Sequence, residues 1–105
     1  MIHLRLILVF LIFSNFPAQV NSQESGELYL WKVSSGQIWE TFGDEDIQQK
    51  YKGIVANGKP DGEGSLTHPD GGTIKGEWRN GKEWNTTHIN KDGIILGNWE
   101  NGRWK

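Results

Sequence analysis

Two histidines invite a metal reading, because His68 stands two residues before Asp70 and His88 four before Asp92, and imidazole with carboxylate is a common zinc ligand set. The spacing argues against it. No short ligand pair is present, and the two histidines fall at different phases of the repeat described below, residue 18 of one copy and residue 15 of the next. Turn and strand-surface roles suit them better, and Asp70-Gly71 and Asp92-Gly93 read as turn chemistry, in which the Asp side chain bonds local backbone amides. Asp44-Glu45-Asp46 carries enough charge for a cation, but three consecutive carboxylates in a loop ordinarily just solvate it. There is no nucleophile with a plausible base, no phosphate-cradling loop and no HExxH helix. The residues point to a protein that is not an enzyme and uses neither metal nor cofactor.

Lysines and tryptophans are the remaining candidates. Lys52 and Lys75 recur at one phase and Lys59 and Lys82 at another, a ladder suited to anionic lipid head groups. Glu63, Glu77, Glu83 and Glu100 stand among them. Residues 1–22 hold Arg5 and no acid, so without them ten Lys and Arg face thirteen Asp and Glu, a net charge of −3. With no basic stripe, nucleic-acid binding is unsupported. Six Trp are a heavy dose for so short a chain. Such a row is ordinarily core, but solvent access to Trp84 and Trp104 would suit a cell-envelope glycan. Asn85-Thr86-Thr87 fits an N-glycosylation sequon, which matters only in a eukaryotic secretory pathway.

What positions these residues is a repeat. Tyr51-Lys52-Gly53 leads to Asn57-Gly58-Lys59, Ile74-Lys75-Gly76 to Asn80-Gly81-Lys82, and Ile95-Leu96-Gly97 to Asn101-Gly102-Arg103, with copies 23 and 21 residues apart. A short period of this kind means one supersecondary unit stacked on itself. Side chains in a strand alternate, so Tyr51, Gly53 and Val55 share a face, as do Ile74, Gly76 and Trp78, and Ile95, Gly97 and Trp99, while Lys52, Ile54, Lys75, Glu77, Leu96 and Asn98 point the other way. A glycine inside a strand has nothing to pack. Its recurrence at one register is explained by room for a neighbouring aromatic. Each Asn-Gly pair supplies the positive dihedrals of a tight hairpin turn, after which a return strand runs back, with Gly62, Gly64 and Leu66 on one face matched by Asn85, Thr87 and Ile89. His68 to Gly72 and Asn90 to Gly93 are the return turns. The fold class is all-β, an elongated single-layer antiparallel sheet of serial hairpins.

A decayed unit precedes the clear copies. Tyr29 to Val33 leads to Gly36-Gln37-Ile38-Trp39-Glu40, and Gly36, Gly58, Gly81 and Gly102 lie 22, 23 and 21 apart, so Gly36 reads as its turn glycine. Residues 27–43 form an N-terminal cap hairpin, since terminal repeats are atypical. A helical turn at Ile47 to Lys50 is an open alternative for the polar stretch that follows. Before all of this, Met1 to Arg5, the apolar run Leu6 to Phe13 and the small residues near Val20-Asn21-Ser22 read as a cleaved secretory signal. The apolar run is far short of the roughly 20 residues a membrane span needs. The expected organisation is a signal at 1–22, a cap with an acidic loop at 23–50, and a repeat sheet at 51–105, with copies near 51–73, 74–94 and 95–105, the last partial. The expected location is secreted or periplasmic, and the absence of Cys means export without disulfides.

The pattern Y-x-G-x-[VW]-x-N-G-x-x-x-G-x-G, complete in Tyr51 to Gly64, resembles the MORN repeat (membrane occupation and recognition nexus), over 51–105 well and 27–50 weakly. The resemblance implies serial hairpins in a single sheet, and protein contact, scaffolding, dimerisation or phospholipid association without catalysis in the repeats. A signal followed by few repeats is similar to the short exported bacterial kind. Two departures matter. Asn85 and Thr87 replace the paired glycines of the second return strand, and the third copy stops before a return strand is expected, leaving Ile94, Ile95, Leu96 and Trp99 on an open edge. Such an edge suits a protein partner or a second copy of the chain.

The signal reading has a direct check. N-terminal sequencing of the exported protein is expected to return Gln23, give or take a couple of residues, and recovery of Met1 would overturn it.

Overall fold

Asn-Gly pairs reverse the chain three times. Asn57, Asn80 and Asn101 have φ of 54°, 48° and 50°, and the glycines after them 76°, 85° and 82°, two consecutive positive values that asparagine and glycine tolerate best and that match the twist of paired strands. The computed structural model describes residues 23–105, and the expected signal segment lies outside them. The turns join β3 (Lys50–Ala56) to β4 (Lys59–Thr67), β5 (Thr73–Arg79) to β6 (Lys82–Ile89), and β7 (Ile95–Glu100) to β8 (Arg103–Trp104). With β1 (Gln23–Val33) and β2 (Gly36–Glu40) they form one open antiparallel sheet in the order β2-β1-β3-β4-β5-β6-β7-β8. The described residues contain no helix.

Successive hairpins are stitched at their tips. The Gly81 amide donates to the Pro60 carbonyl at 2.8 Å and the Asn80 amide to Asp61 Oδ1 at 2.9 Å. One unit on, Gly102 donates to the Trp84 carbonyl and Asn101 to Asn85 Oδ1, both at 2.9 Å. Each later turn is thus gripped by the return strand before it, which fixes the stacking direction.

Register then sorts the side chains into rows. Leu28, Tyr51, Leu66, Ile74, His88 and Gly97 face one another across six strands, and beside them run Gly26, Gly53, Gly64, Gly76, Thr86 and Trp99. The first row and Trp78 supply the core, in which Leu28, Tyr51, Leu66, Ile74 and Trp78 are buried, with Trp39 and Val55 packed against them. The face expected for Tyr51, Gly53, Val55, Ile74, Gly76 and Trp78 is the apolar one. Room for an aromatic is made at Gly64, where the Tyr51 ring occupies the space a Cβ would take, and at Gly97 of the first row, which lies under Trp104; at Gly53 a Cβ would strike the backbone of Glu63 and Gly64, with the Tyr51 hydroxyl beside them. Tyr51 also donates its hydroxyl to the Ile54 carbonyl at 2.8 Å. Gly76 departs from that expectation. A Cβ there would strike the backbone of Asn85 and Thr86, and its φ is +142°, so close strand approach rather than an aromatic requires glycine.

Bulges correct the expected faces of the later strands. Glu77 pairs Asn85 but Trp78 pairs Glu83, so Trp84 is an extra residue in β6. Past it, Thr86 and His88, not Asn85, Thr87 and Ile89, share the face of Gly64 and Leu66. In β7, Ile89 pairs Ile95 and His88 pairs Gly97, so Leu96 is extra. The start of the strand swings out, and Ile95, expected in the apolar row, is 67% exposed. A return strand does follow the third copy, since β8 pairs Trp104 with Trp99 and Arg103 with Glu100. Gly36 is the first residue of β2 and pairs Val33, the turn itself being Ser34-Ser35. Asn90, not Asp92, closes the last return turn, its Oδ1 accepting from the Asp92 and Ile94 amides, whereas Asp70 does take the Gly72 amide at 2.8 Å. The turn of the polar stretch runs from Asp44 to Gln48, starting three residues earlier than Ile47 to Lys50, with the Gln48 amide donating to the Asp44 carbonyl at 2.8 Å.

The N-terminal hairpin covers the apolar face. Gln23 to Tyr29 of β1 pair with β3, but Tyr29 to Val33 pair with β2. Trp39 of β2 is four strand spacings from β5 along the sheet, or about 19 Å. Its ring centroid nevertheless lies 6.4 Å from that of Trp78 and 6.2 Å from that of Tyr51, which is itself 5.5 Å from Trp78, all edge-on. The hairpin is therefore folded over the face it continues.

Two outcomes follow for denaturation midpoints. Gly64→Ala and Gly76→Ala are each expected to destabilise by about 1–3 kcal/mol, but only Gly64→Ala should couple to Tyr51→Leu in a double-mutant cycle, because only there is the obstacle a movable ring. Burial, with smaller help from Asp61 and Glu63, pushes the Tyr51 phenol up to about 12 from 10.0. The unfolded chain then loses its proton first, so stability is full below about pH 10 and falls by roughly 2–3 kcal/mol as pH rises through 12. Tyr51→Phe should flatten that fall.

Candidate functional site

Beyond the reach of the hairpin the apolar face stays open as a groove of about 530 Å³. Trp78 forms its floor, with Trp39 of β2 on one side and Trp84 and Trp99 of β6 and β7 on the other. The bulge creates this wall. As the extra residue of β6, Trp84 leaves the alternation, packs over Gly102 and takes the Arg79 guanidinium 4.1 Å from its ring centroid.

The Asn80-Gly81 turn sets Glu83 on the apolar face opposite Trp78, and the bulge after it brings Thr86 and His88 onto the same face. Glu83 Oε1 accepts from Thr86 Oγ1 at 2.6 Å and stands 2.6 Å from His88 Nε2, a hydrogen bond in the tautomer that is protonated there. Thr86 is 3% exposed and the Glu83 side chain 18%. Oε2 makes no hydrogen bond to any described residue, so one oxygen is locked and the other free. No family model and no curated protein matches the chain. Function has to be argued from this geometry.

The other candidates scatter. His68 sits 2.6 Å from Gln49 and His88 belongs to Glu83, and among the described residues no three His, Cys, Asp or Glu gather closely enough for a metal ion. Asp44 Oδ1 takes the Asp46 amide, and Glu45 pairs with Lys50 at 3.0 Å. Glu45 and Glu27 together hold the Lys50 ammonium charged well above its ordinary range. Lys52 and Lys75 share one row of the second face, separated by Ser65, and Lys52 lies 3.7 Å from Glu27. Lys59 and Lys82 stand apart from them at the hairpin tips, so the four lysines do not merge into one basic patch. Of the aromatics proposed for a glycan, Trp104 is 51% exposed, while Trp84 is half-buried beneath Arg79. A larger cavity of about 800 Å³ lies by the acidic loop. Its polar groups are spent on the fold, with Trp31 donating to the Phe42 carbonyl and Gln48 to that of Leu30.

At the edge, β8 covers only Trp99 and Glu100, with Lys105 donating to the Asn98 carbonyl at 2.9 Å. Ile94, Ile95 and Leu96 remain 58%, 67% and 63% exposed. Trp99 is not on the open edge, because its backbone pairs with Trp104. Sequence reading missed Glu83 and Thr86: Glu83 follows from the Asn80-Gly81 turn, which pairs it with Trp78, but Thr86 reaches its side only through the bulge at Trp84.

Proposed function

We propose that the chain is an exported, non-enzymatic interaction module of the MORN-repeat kind, which takes a strand of a protein partner or of a second copy onto the β7 edge. The reading rests on one observation. Three consecutive aliphatic side chains, Ile94 at the end of the return turn and Ile95 and Leu96 at the start of β7, lie more than half exposed where β8 gives no cover, and sheets ordinarily blunt such an edge with charge, proline or a covering segment. Edge pairing supplies main-chain hydrogen bonds, and the aliphatics add apolar burial. The lysine ladder supports the lipid alternative poorly, because its members are dispersed and Lys52 is matched by Glu27.

The test is sedimentation and amide exchange of the purified chain, alone and with envelope extract. Association above about 100 μM, or protection of amides 95 to 97 by extract, is expected, and Ile95→Lys with Leu96→Lys should abolish either one while leaving the thermal midpoint nearly unchanged. A protein that stays monomeric, with those amides exchanging freely in extract, sinks the edge reading.

A further inference from the structure

Several surfaces offer less than the groove does. The acidic loop is closed by its own hydrogen bonds, and the second face alternates Lys with Glu. In the groove a carboxylate is held in place among indoles, and its occupant must satisfy both.

Consider what Glu83 asks of a ligand. Thr86 and His88 fix Oε1, so the carboxylate is preorganised and Oε2 is an acceptor with no donor among the described residues. An apolar helix laid in the groove would bury that oxygen unpaired, at a penalty comparable to a lost charged hydrogen bond. An anionic head group would meet it as a like charge. A cationic peptide would meet Arg79 and Lys82 on the same wall. A neutral ligand rich in hydroxyl donors and carrying apolar C–H faces suits every part, since the half-buried indoles of Trp39, Trp84 and Trp99 receive the faces. Gln37 and the side-chain oxygen of Gln49, also lining the groove, supply further hydrogen bonds. Its volume falls within the range of small-molecule sites.

We infer that the groove between the N-terminal hairpin and β5 to β7 binds a neutral oligosaccharide of hexopyranose units, with Glu83 Oε2 accepting from a sugar hydroxyl. The site is separate from the β7 edge and does not depend on strand pairing there.

The experiment titrates the purified protein with cellotetraose, maltotetraose and chitotetraose up to about 5 mM, a range that captures weak binding, reading tryptophan fluorescence and heat. At least one sugar is expected to give a saturable change. Glu83→Gln, which keeps the side chain's size but replaces an oxygen with a donor, should weaken it at least about tenfold. Gln37→Ala, on the exposed opposite wall, should weaken it several-fold with an unchanged thermal midpoint, and it carries the test if Glu83→Gln folds poorly. No saturable response to any of the three sugars overturns the inference. So does sugar binding that neither variant alters, or a fluorescence change given by phosphatidylglycerol vesicles in place of sugar.

Discussion

A sheet one layer thick has no second layer to bury its apolar face, and everything else in this protein depends on how that deficit is met. The contact of Trp39 with Tyr51 and Trp78 meets it. Three rings packed edge-on exclude water from the middle of the face, each pair worth about 0.5–1.5 kcal/mol beyond its area. The contact requires β1 to change partners at Tyr29 so that its second half and β2 fold back. The hairpin thus shields the middle of the apolar face that the sheet would otherwise leave open.

Glycine and the rings work as one device. The Tyr51 ring lies over Gly64 because that residue has no Cβ, and its hydroxyl reaches the Ile54 carbonyl. Where no ring is available, as at Gly76, the strands themselves draw together. The bulges break this pattern: an extra residue at Trp84 turns an indole aside and brings Thr86 and His88 round to the face that Glu83 already shares.

The hairpins, their turns and the alternation of β3 and β5 were legible in the sequence, since each depends on local chemistry. Asn57-Gly58 and its counterparts have few other conformations open to them, and period-two alternation follows from strand geometry. What lay beyond reading depends on hydrogen bonds between strands. The bulges at Trp84 and Leu96 reverse the facing of Thr86, His88 and Ile95 without any mark in residue type. The two-residue strand Arg103–Trp104 looked too short to exist, yet the Asn101-Gly102 turn and Trp104 lying over Gly97 suffice to form it. Glu83 read as one more surface charge, although the Asn80-Gly81 turn already sets it opposite Trp78; its partners Thr86 and His88 arrive only through the slip.

The stitching of each hairpin tip to the strand before it has a mechanical side. From β3 onward, spatial neighbours are also neighbours in sequence, so tension applied between the ends of the described chain acts across the strands and loads the hydrogen bonds one pair at a time. The sheet yields by unzipping from the β8 end, and after the short last hairpin the 21- and 23-residue units each pay out roughly 70–80 Å of slack at the extended reach of a chain. The fold-back of β2 interrupts that sequence. Its aromatic cluster ties β2, β3 and β5 together across the face, and it would be the last part of the molecule to come apart.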